Sequence, residues 1–106
     1  MVLNIKTKNL DLTPSLSAYI NKKIKFLNRF LKAWEEKGAL QVDFELAKTT
    51  KHHKKGDVYY AEVNLFIGGH KLRAEQKTDD IYKSIDQVKD IIKREVNKYK
   101  QKLNIA

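Results

Sequence analysis

The sequence predicts an α+β domain in the order β-α-β-β-β-α, a four-stranded sheet with both helices packed on one face. Three observations lead there. Four short segments alternate apolar and polar residues with the period of a half-buried strand, and two longer ones repeat apolar residues with the period of a helix. Each strand then has one apolar face and each helix one apolar stripe, so helices stacked on one side of the sheet bury all of them and leave the other sheet face wet. Between the third and fourth strands sits Gly68-Gly69, a hairpin signal, because glycine takes positive φ without steric cost.

Taken in order, Val2 to Lys8 sets Leu3 and Ile5 against Asn4 and Lys6, a first strand. Thr13-Pro14 starts a helix, with the hydroxyl as N-cap and proline where its missing N–H costs nothing. The helix runs through Leu16, Tyr19, Ile20, Ile24, Phe26, Leu27, Phe30, Leu31 and Trp34 on one broad arc, and Gly38 is expected to end it. Leu40, Val42, Phe44 and Leu46 alternate with Gln41, Asp43 and Glu45 in a second strand. Lys48 to Gly56 reads as a polar loop. Tyr59 to Ile67 alternates again, and Leu72 and Ala74 face inward in a fourth strand between Lys71, Arg73 and Glu75. Thr78 is expected to cap the last helix, with Asp79 and Asp80 in its first turn, and Ile81, Ile85, Val88, Ile92, Val96, Tyr99 and Leu103 form its stripe. Because a helix joins strands one and two, they are expected to be parallel neighbours with a right-handed crossover. At 106 residues the chain is long enough for one core, hence one domain over 1–106.

Charge is sorted by element. The chain carries 22 Lys and Arg against 13 Asp and Glu, a net charge of +9. Leu12 to Trp34 contains no acid but holds Lys22, Lys23, Lys25, Arg29 and Lys32. Like charges at i,i+4 oppose a helix, so a polyanionic partner is the usual reason to keep them, the alternative being a surface made soluble by lysine. Lys22, Lys25, Arg29 and Lys32 fall within about 80° opposite the apolar arc, whereas Lys23 points into it and must snorkel or face a seam with a neighbour. In the second helix Lys83, Arg94 and Lys98 lie within about 60° on one flank; Lys89, Lys93 and Lys100 lie on the other, with Asp86 and Asp90 read on the back between them. A groove between two basic helix faces would follow a phosphate backbone, and Arg can fork onto a phosphate.

Other chemistries have little to stand on. With no cysteine there is no disulfide, thiolate metal site or thiol nucleophile, and the reading is a soluble cytoplasmic protein with neither signal peptide nor membrane span. His52-His53 point apart on an extended backbone and His70 stands alone, so no metal site, cofactor, catalytic residue or small-molecule substrate is expected. No Gly-rich phosphate loop or Ser-centred elbow occurs. Tyr60 and Phe66 fall on the wet sheet face, where they could stack bases, but Asp43, Glu45, Glu62 and Glu75 share that face and would repel phosphate. Tyr82, at the edge of its stripe, is expected to pack at the rim of the core rather than stack on a base.

The element order resembles that of double-stranded-RNA-binding domains preceded by an additional element. The residues carry a more specific likeness. Leu3-Asn4-Ile5, Leu12-Thr13-Pro14 with Tyr19-Ile20 and Lys23-Ile24, Leu72-Arg73-Ala74 after the double glycine, Asp80-Ile81-Tyr82-Lys83-Ser84-Ile85-Asp86, Lys93-Arg94-Glu95 and Lys98-Tyr99-Lys100-Gln101-Lys102-Leu103 form an ordered set. Together they resemble the ribosome hibernation promoting factor family, which includes the ribosome-associated inhibitor proteins, over essentially the whole chain. The resemblance implies the same β-α-β-β-β-α fold and binding in the decoding channel of the small ribosomal subunit, where mRNA and tRNA would otherwise sit. It implies inactive ribosomes in stationary phase or stress; the protein itself is expected to be monomeric off the ribosome. The basic positions matching the family pattern are Lys23, Arg29, Arg94, Lys98 and Lys102; Lys22, Lys25 and Lys83 join them as rRNA-binding candidates from the helical wheel. The sequence lacks the acidic C-terminal extension of the tailed inhibitors and the dimerising domain of the long forms, so it matches the short form, and ribosome dimerisation by this chain alone is not implied. The alternatives are a general RNA-binding or nucleoid-binding module and, more remotely, an enzyme acting on nucleic acid.

Overall fold

The computed structural model describes residues 2–36, 40–49 and 56–104. Gly38, Lys51, His52, His53, Lys54 and Lys55 lie outside the described residues, as do the side chains of Phe26, Phe30 and Trp34. The elements run β1 (Val2–Lys8), α1 (Pro14–Glu36), β2 (Leu40–Thr49), β3 (Val58–Ile67), β4 (His70–Thr78) and α2 (Ile81–Asn104). The order is the expected one, with β2 and β4 a few residues longer than their alternation alone marks.

α1 begins as its sequence directs. The Leu16 N–H donates to Thr13 Oγ1 at 3.1 Å and the Ser17 N–H to the Thr13 carbonyl at 2.9 Å, so the hydroxyl and Pro14 together start the first turn. α2 starts two residues later than expected. Its cap is Asp80, whose Oδ1 accepts the Tyr82 N–H at 2.8 Å, and the first turn holds no acid. Thr78 instead turns the chain into the helix: its Oγ1 accepts the Asp80 N–H at 3.1 Å. Both residue types cap helices, and here the backbone places Asp80 immediately before Ile81, where its carboxylate meets the second helical N–H.

The sheet order is β1-β2-β3-β4, with β1 parallel to β2 and the remaining pairs antiparallel. The β3–β4 turn is made by Gly68 and Gly69, both at positive φ (51° and 86°), which a two-residue primed turn demands. The register sets Asn4, Asp43, Asn64 and Arg73 in one row across the open face and Lys6, Glu45, Glu62 and Glu75 in the next.

One core lies between the sheet and the helices. Ile20, Leu27 and Leu31 of α1, Phe44 and Leu46 of β2, Val63 and Leu65 of β3, and Ile85, Val88 and Ile92 of α2 are all closed to solvent. Each such side chain contributes about 1.5–3 kcal/mol relative to exposure. α1 lies over β2, and α2 covers β3 and β4. Ser84 is the one fully buried hydroxyl among the described residues, and it is satisfied: it donates to the Tyr59 carbonyl at 2.9 Å and meets Thr78 Oγ1 at 2.7 Å. Among the described residues no helix is long and apolar enough to cross a membrane.

Candidate nucleic-acid interface

The first cationic surface follows from the helical period. Leu16, Ile20, Ile24, Leu27 and Leu31 occupy the core side of α1, so Lys22, Lys25, Arg29 and Lys32 stand exposed on the side away from the sheet. No described carboxylate comes within ion-pairing distance of these four or of Arg94. The charges are held near one another by the helix alone.

Lys23 is different. It lies in the seam between the helices, 3.1 Å from Asp86 Oδ1 and over the Tyr19 ring at 4.9 Å. The Tyr19 hydroxyl donates to the same Asp86 oxygen at 2.6 Å, and Tyr82 meets the Tyr19 ring edge-on at 4.8 Å. The bond to Asp86 raises the Lys23 pKa above that of an ordinary lysine. Burial pushes the Asp86 carboxyl up, but the Tyr19 hydroxyl and the Lys23 ammonium outweigh it and leave the net shift downward. Burial, then the bond to Asp86, raises Tyr19. Of the two readings for Lys23, snorkelling or a seam, the structure has the seam.

This seam corrects the reading of α2. Asp86 is not on the back of the helix; it faces α1. Lys89, Lys93 and Lys100 share the azimuth of Tyr82 and Asp86, are half-buried, and have partners of their own. Lys83, Arg94 and Lys98 therefore lie about 100–160° round the helix from Tyr82, turned away from the seam. They do not line a groove against the basic face of α1. Lys83 and Arg94 instead stand opposite the α2 core stripe, as Lys25 and Arg29 stand opposite that of α1, so both sets look out from the helix layer. Lys83 pairs with Asp79 at 3.7 Å and Lys98 with Glu95 at 3.5 Å, both on exposed surface where such pairs hold weakly. Lys102 is exposed in the last turn, where a cation suits the helix dipole.

The open sheet face has another character. Glu62 is only 8% exposed, although its place in the alternation reads as wet. Tyr60 donates its hydroxyl to Glu62 and, at 2.8 Å, to Glu75; Asn64 donates to Glu62 at 2.7 Å; Arg73 reaches Glu62 at 2.8 Å and Glu75 at 3.0 Å. Burial raises the Glu62 carboxyl, and the donors around it more than offset that, so it titrates below the ordinary glutamate range. Burial, then the two carboxylates, pushes the Tyr60 hydroxyl far upward. The Tyr60 hydroxyl is thus tied to two carboxylates rather than offered beside phosphate-binding cations, and Phe66 lies half-buried under the Lys71 ammonium at 5.8 Å. Beside this network a shallow hollow of about 480 Å³ is lined by Asn4, Lys6, Gln41, Asp43, Glu45 and Glu62 among others. Among the described residues no three His, Asp or Glu side chains gather to hold a metal ion.

Three features escaped the sequence. Asp86 at the seam could have been suspected, since Tyr82, Asp86 and Lys89 share one flank at i, i+4 and i+7. The burial of Glu62 and the stacking of His70 on Tyr99, 4.4 Å between ring centres and 13° from parallel, have no local signal, because each depends on which strand or helix lies alongside.

Comparison with known proteins bears on the whole chain. The family described as sigma 54 modulation protein / S30EA ribosomal protein matches residues 3–104. The ribosome hibernation promotion factor of Picosynechococcus sp. is 30% identical over 102 residues, covering 96% of this chain and 50% of that protein. That of Lactococcus lactis subsp. cremoris is 31% identical over 101 residues, covering 95% and 50%. The ribosome hibernation promoting factor of Klebsiella oxytoca is 26% identical over 103 residues and covered to 97%, as is this chain. The chain thus spans half the length of the first two relatives. Two solved structures share the fold: a ribosomal subunit interface protein from Coxiella burnetii, with TM-score 0.72 at 17% identity over 95% of this chain and 99% of that one, and the N-terminal domain of Thermus thermophilus Protein Y, with TM-score 0.73 at 24% identity over 93% and 99%.

Proposed function

The chain belongs to the sigma 54 modulation protein / S30EA ribosomal protein family, and from that premise we propose that it is a ribosome-binding hibernation factor. It occupies the decoding channel of the small subunit and keeps mRNA and tRNA out. The observation that carries the reading is the exposed, acid-free face of α1, where Lys22, Lys25, Arg29 and Lys32 stand together without described carboxylate partners. The names borne by its relatives support the ribosome as the source of the polyanion. Phosphates of rRNA meet this face, while Lys83 and Arg94 extend it along α2 and Lys98 and Lys102 add a cationic edge beside β4. Lys23, which the family pattern includes, acts mainly by holding the seam to Asp86.

Inhibition on this reading is steric and stoichiometric. Positioned point charges bind a phosphate backbone, and none of the described groups forms a nucleophile, base and oxyanion-hole set. Residues 1–106 act as one ribosome-binding domain, in the cytoplasm, monomeric off the ribosome and without cofactor. The test is sedimentation. The protein is expected to co-migrate with small subunits at elevated salt in stoichiometric amount, and pre-bound mRNA with initiator tRNA is expected to displace it. Equal binding to unrelated RNA, abolished at the same salt, would make it a general RNA-binding module instead. Inhibition of cell-free translation at far less than one protein per ribosome would mean turnover and overturn the steric mechanism.

A further inference from the structure

We propose a nucleobase-binding subsite at the end of the molecule where the β3–β4 turn meets the last turns of α2. His70 stacks on Tyr99 with ring centres 4.4 Å apart and planes 13° from parallel. The pair borders a cavity of about 240 Å³ lined by His70, Leu72, Glu95, Lys98, Tyr99 and Lys102. Its ligand class is an unstacked base of single-stranded RNA together with the phosphates on either side.

Three properties point to that class. Tyr99 is half-buried and packs against the core, so it fixes the plane of the imidazole it supports. His70 is exposed, so its imidazole is within reach of a third flat ring. A base laid there continues an existing stack and meets a platform already oriented, and every base has the π-face this needs. Lys98 and Lys102, one helical turn apart, are both exposed and stand on the cavity wall, at a spacing of about 5–6 Å that suits successive phosphates. Glu95 also lines the cavity, and its carboxylate pairs with Lys98 at 3.5 Å. On the open sheet face Tyr60 is bonded to two carboxylates and Phe66 is half-buried under the Lys71 ammonium, so neither offers a free ring face beside paired cations.

The subsite deepens the RNA-binding reading and rests on it. It is tested by comparing a short single-stranded RNA with the same sugar-phosphate chain lacking bases. His70→Ala is expected to weaken binding of the base-bearing strand about five- to tenfold, the effect of removing one stacked ring, and to leave the abasic strand unchanged. His70→Phe, which restores a flat ring, is expected to recover most of the loss. The His70 ring resonances should shift on adding the base-bearing strand and not the abasic one. Equal affinity of wild type and His70→Ala for the base-bearing strand would overturn the subsite. If wild type binds neither strand yet sediments with small subunits, the subsite falls and the ribosome reading stands. If wild type prefers the base-bearing strand through His70 but ignores small subunits, the subsite stands and the ribosome reading falls.

Discussion

The Lys23 ammonium lies 3.1 Å from Asp86 Oδ1, the oxygen that also accepts the Tyr19 hydroxyl at 2.6 Å. One carboxylate of α2 therefore gathers two side chains of α1 a helical turn apart. It sets how the two helices lie, and with them how the exposed cations of α1 sit relative to those of α2.

The first prediction concerns that carboxylate. Asp86 titrates lower in the fold than in the unfolded chain, so the unfolded state binds more protons in the acid range and stability rises with pH there. Its contribution is present above the ordinary aspartate value of 3.8 and is lost as pH falls through the lower folded value. Asp86→Asn should melt earlier at neutral pH and show a shallower fall of melting temperature below about pH 4. An acid slope identical to wild type would mean that the seam carries no such coupling.

The second concerns Arg73 and Glu62. Arg73 donates to the buried Glu62, and three kinds of donor together hold that carboxyl below its usual range. Arg73→Met removes one of them and leaves burial unopposed to that extent. The Glu62 carboxyl, followed by carbon NMR, should titrate at higher pH in the variant, and acid unfolding should begin correspondingly earlier. An unmoved titration would show that Tyr60 and Asn64 suffice.

Lys25 and Arg29 test the proposed interface. Both are exposed and without described partners, so Lys25→Glu with Arg29→Glu should leave the melting curve within a degree or so of wild type. Small-subunit affinity should fall, and its dependence on salt should flatten by roughly 0.7–0.9 log units per decade for each phosphate no longer neutralised. Binding that survives the double reversal would remove α1 from the interface.

Tyr82 is 37% exposed and its ring meets that of Tyr19 in a T-shaped contact, so it packs at the rim. Tyr82→Phe should be nearly silent in stability and in sedimentation with small subunits. Tyr82→Ala should cost about 1 kcal/mol, the value of an aromatic pair and some area, read from denaturant melts. A variant that folds normally but fails to sediment with small subunits would make Tyr82 a base contact.

The fold is legible in the sequence because period and punctuation agree. Thr13-Pro14 and Gly68-Gly69 mark their turns, and the alternation of β2 and β3 gives the buried face residue by residue. The candidate interface is legible only in angle. A helical wheel gives the azimuth of Lys83 or Asp86 about its own axis, but not which azimuth the neighbouring helix takes up. The wheel therefore turns Asp86 toward solvent when it is the seam, and leaves open which flank of α2 meets α1. Glu62 has the same cause: alternation assigns it to the outer face, and the tyrosine, asparagine and arginine beside it close that face over. At α2 the difficulty is chemical, since Thr78 and Asp80 can both cap and only backbone geometry separates them.

Among the described residues the sheet order leaves β1 and β4 each with one unpaired side. Such rims are templates on which another chain can add a strand, and fibrils grow from them. Here both are lined with lysine: Lys6 and Lys8 on β1, Lys71 and Lys77 on β4, all exposed. A second copy approaching rim to rim would crowd ammonium groups against one another, so the positive charge that suits an anionic partner also keeps copies of the chain from zipping into aggregates when many are made at once.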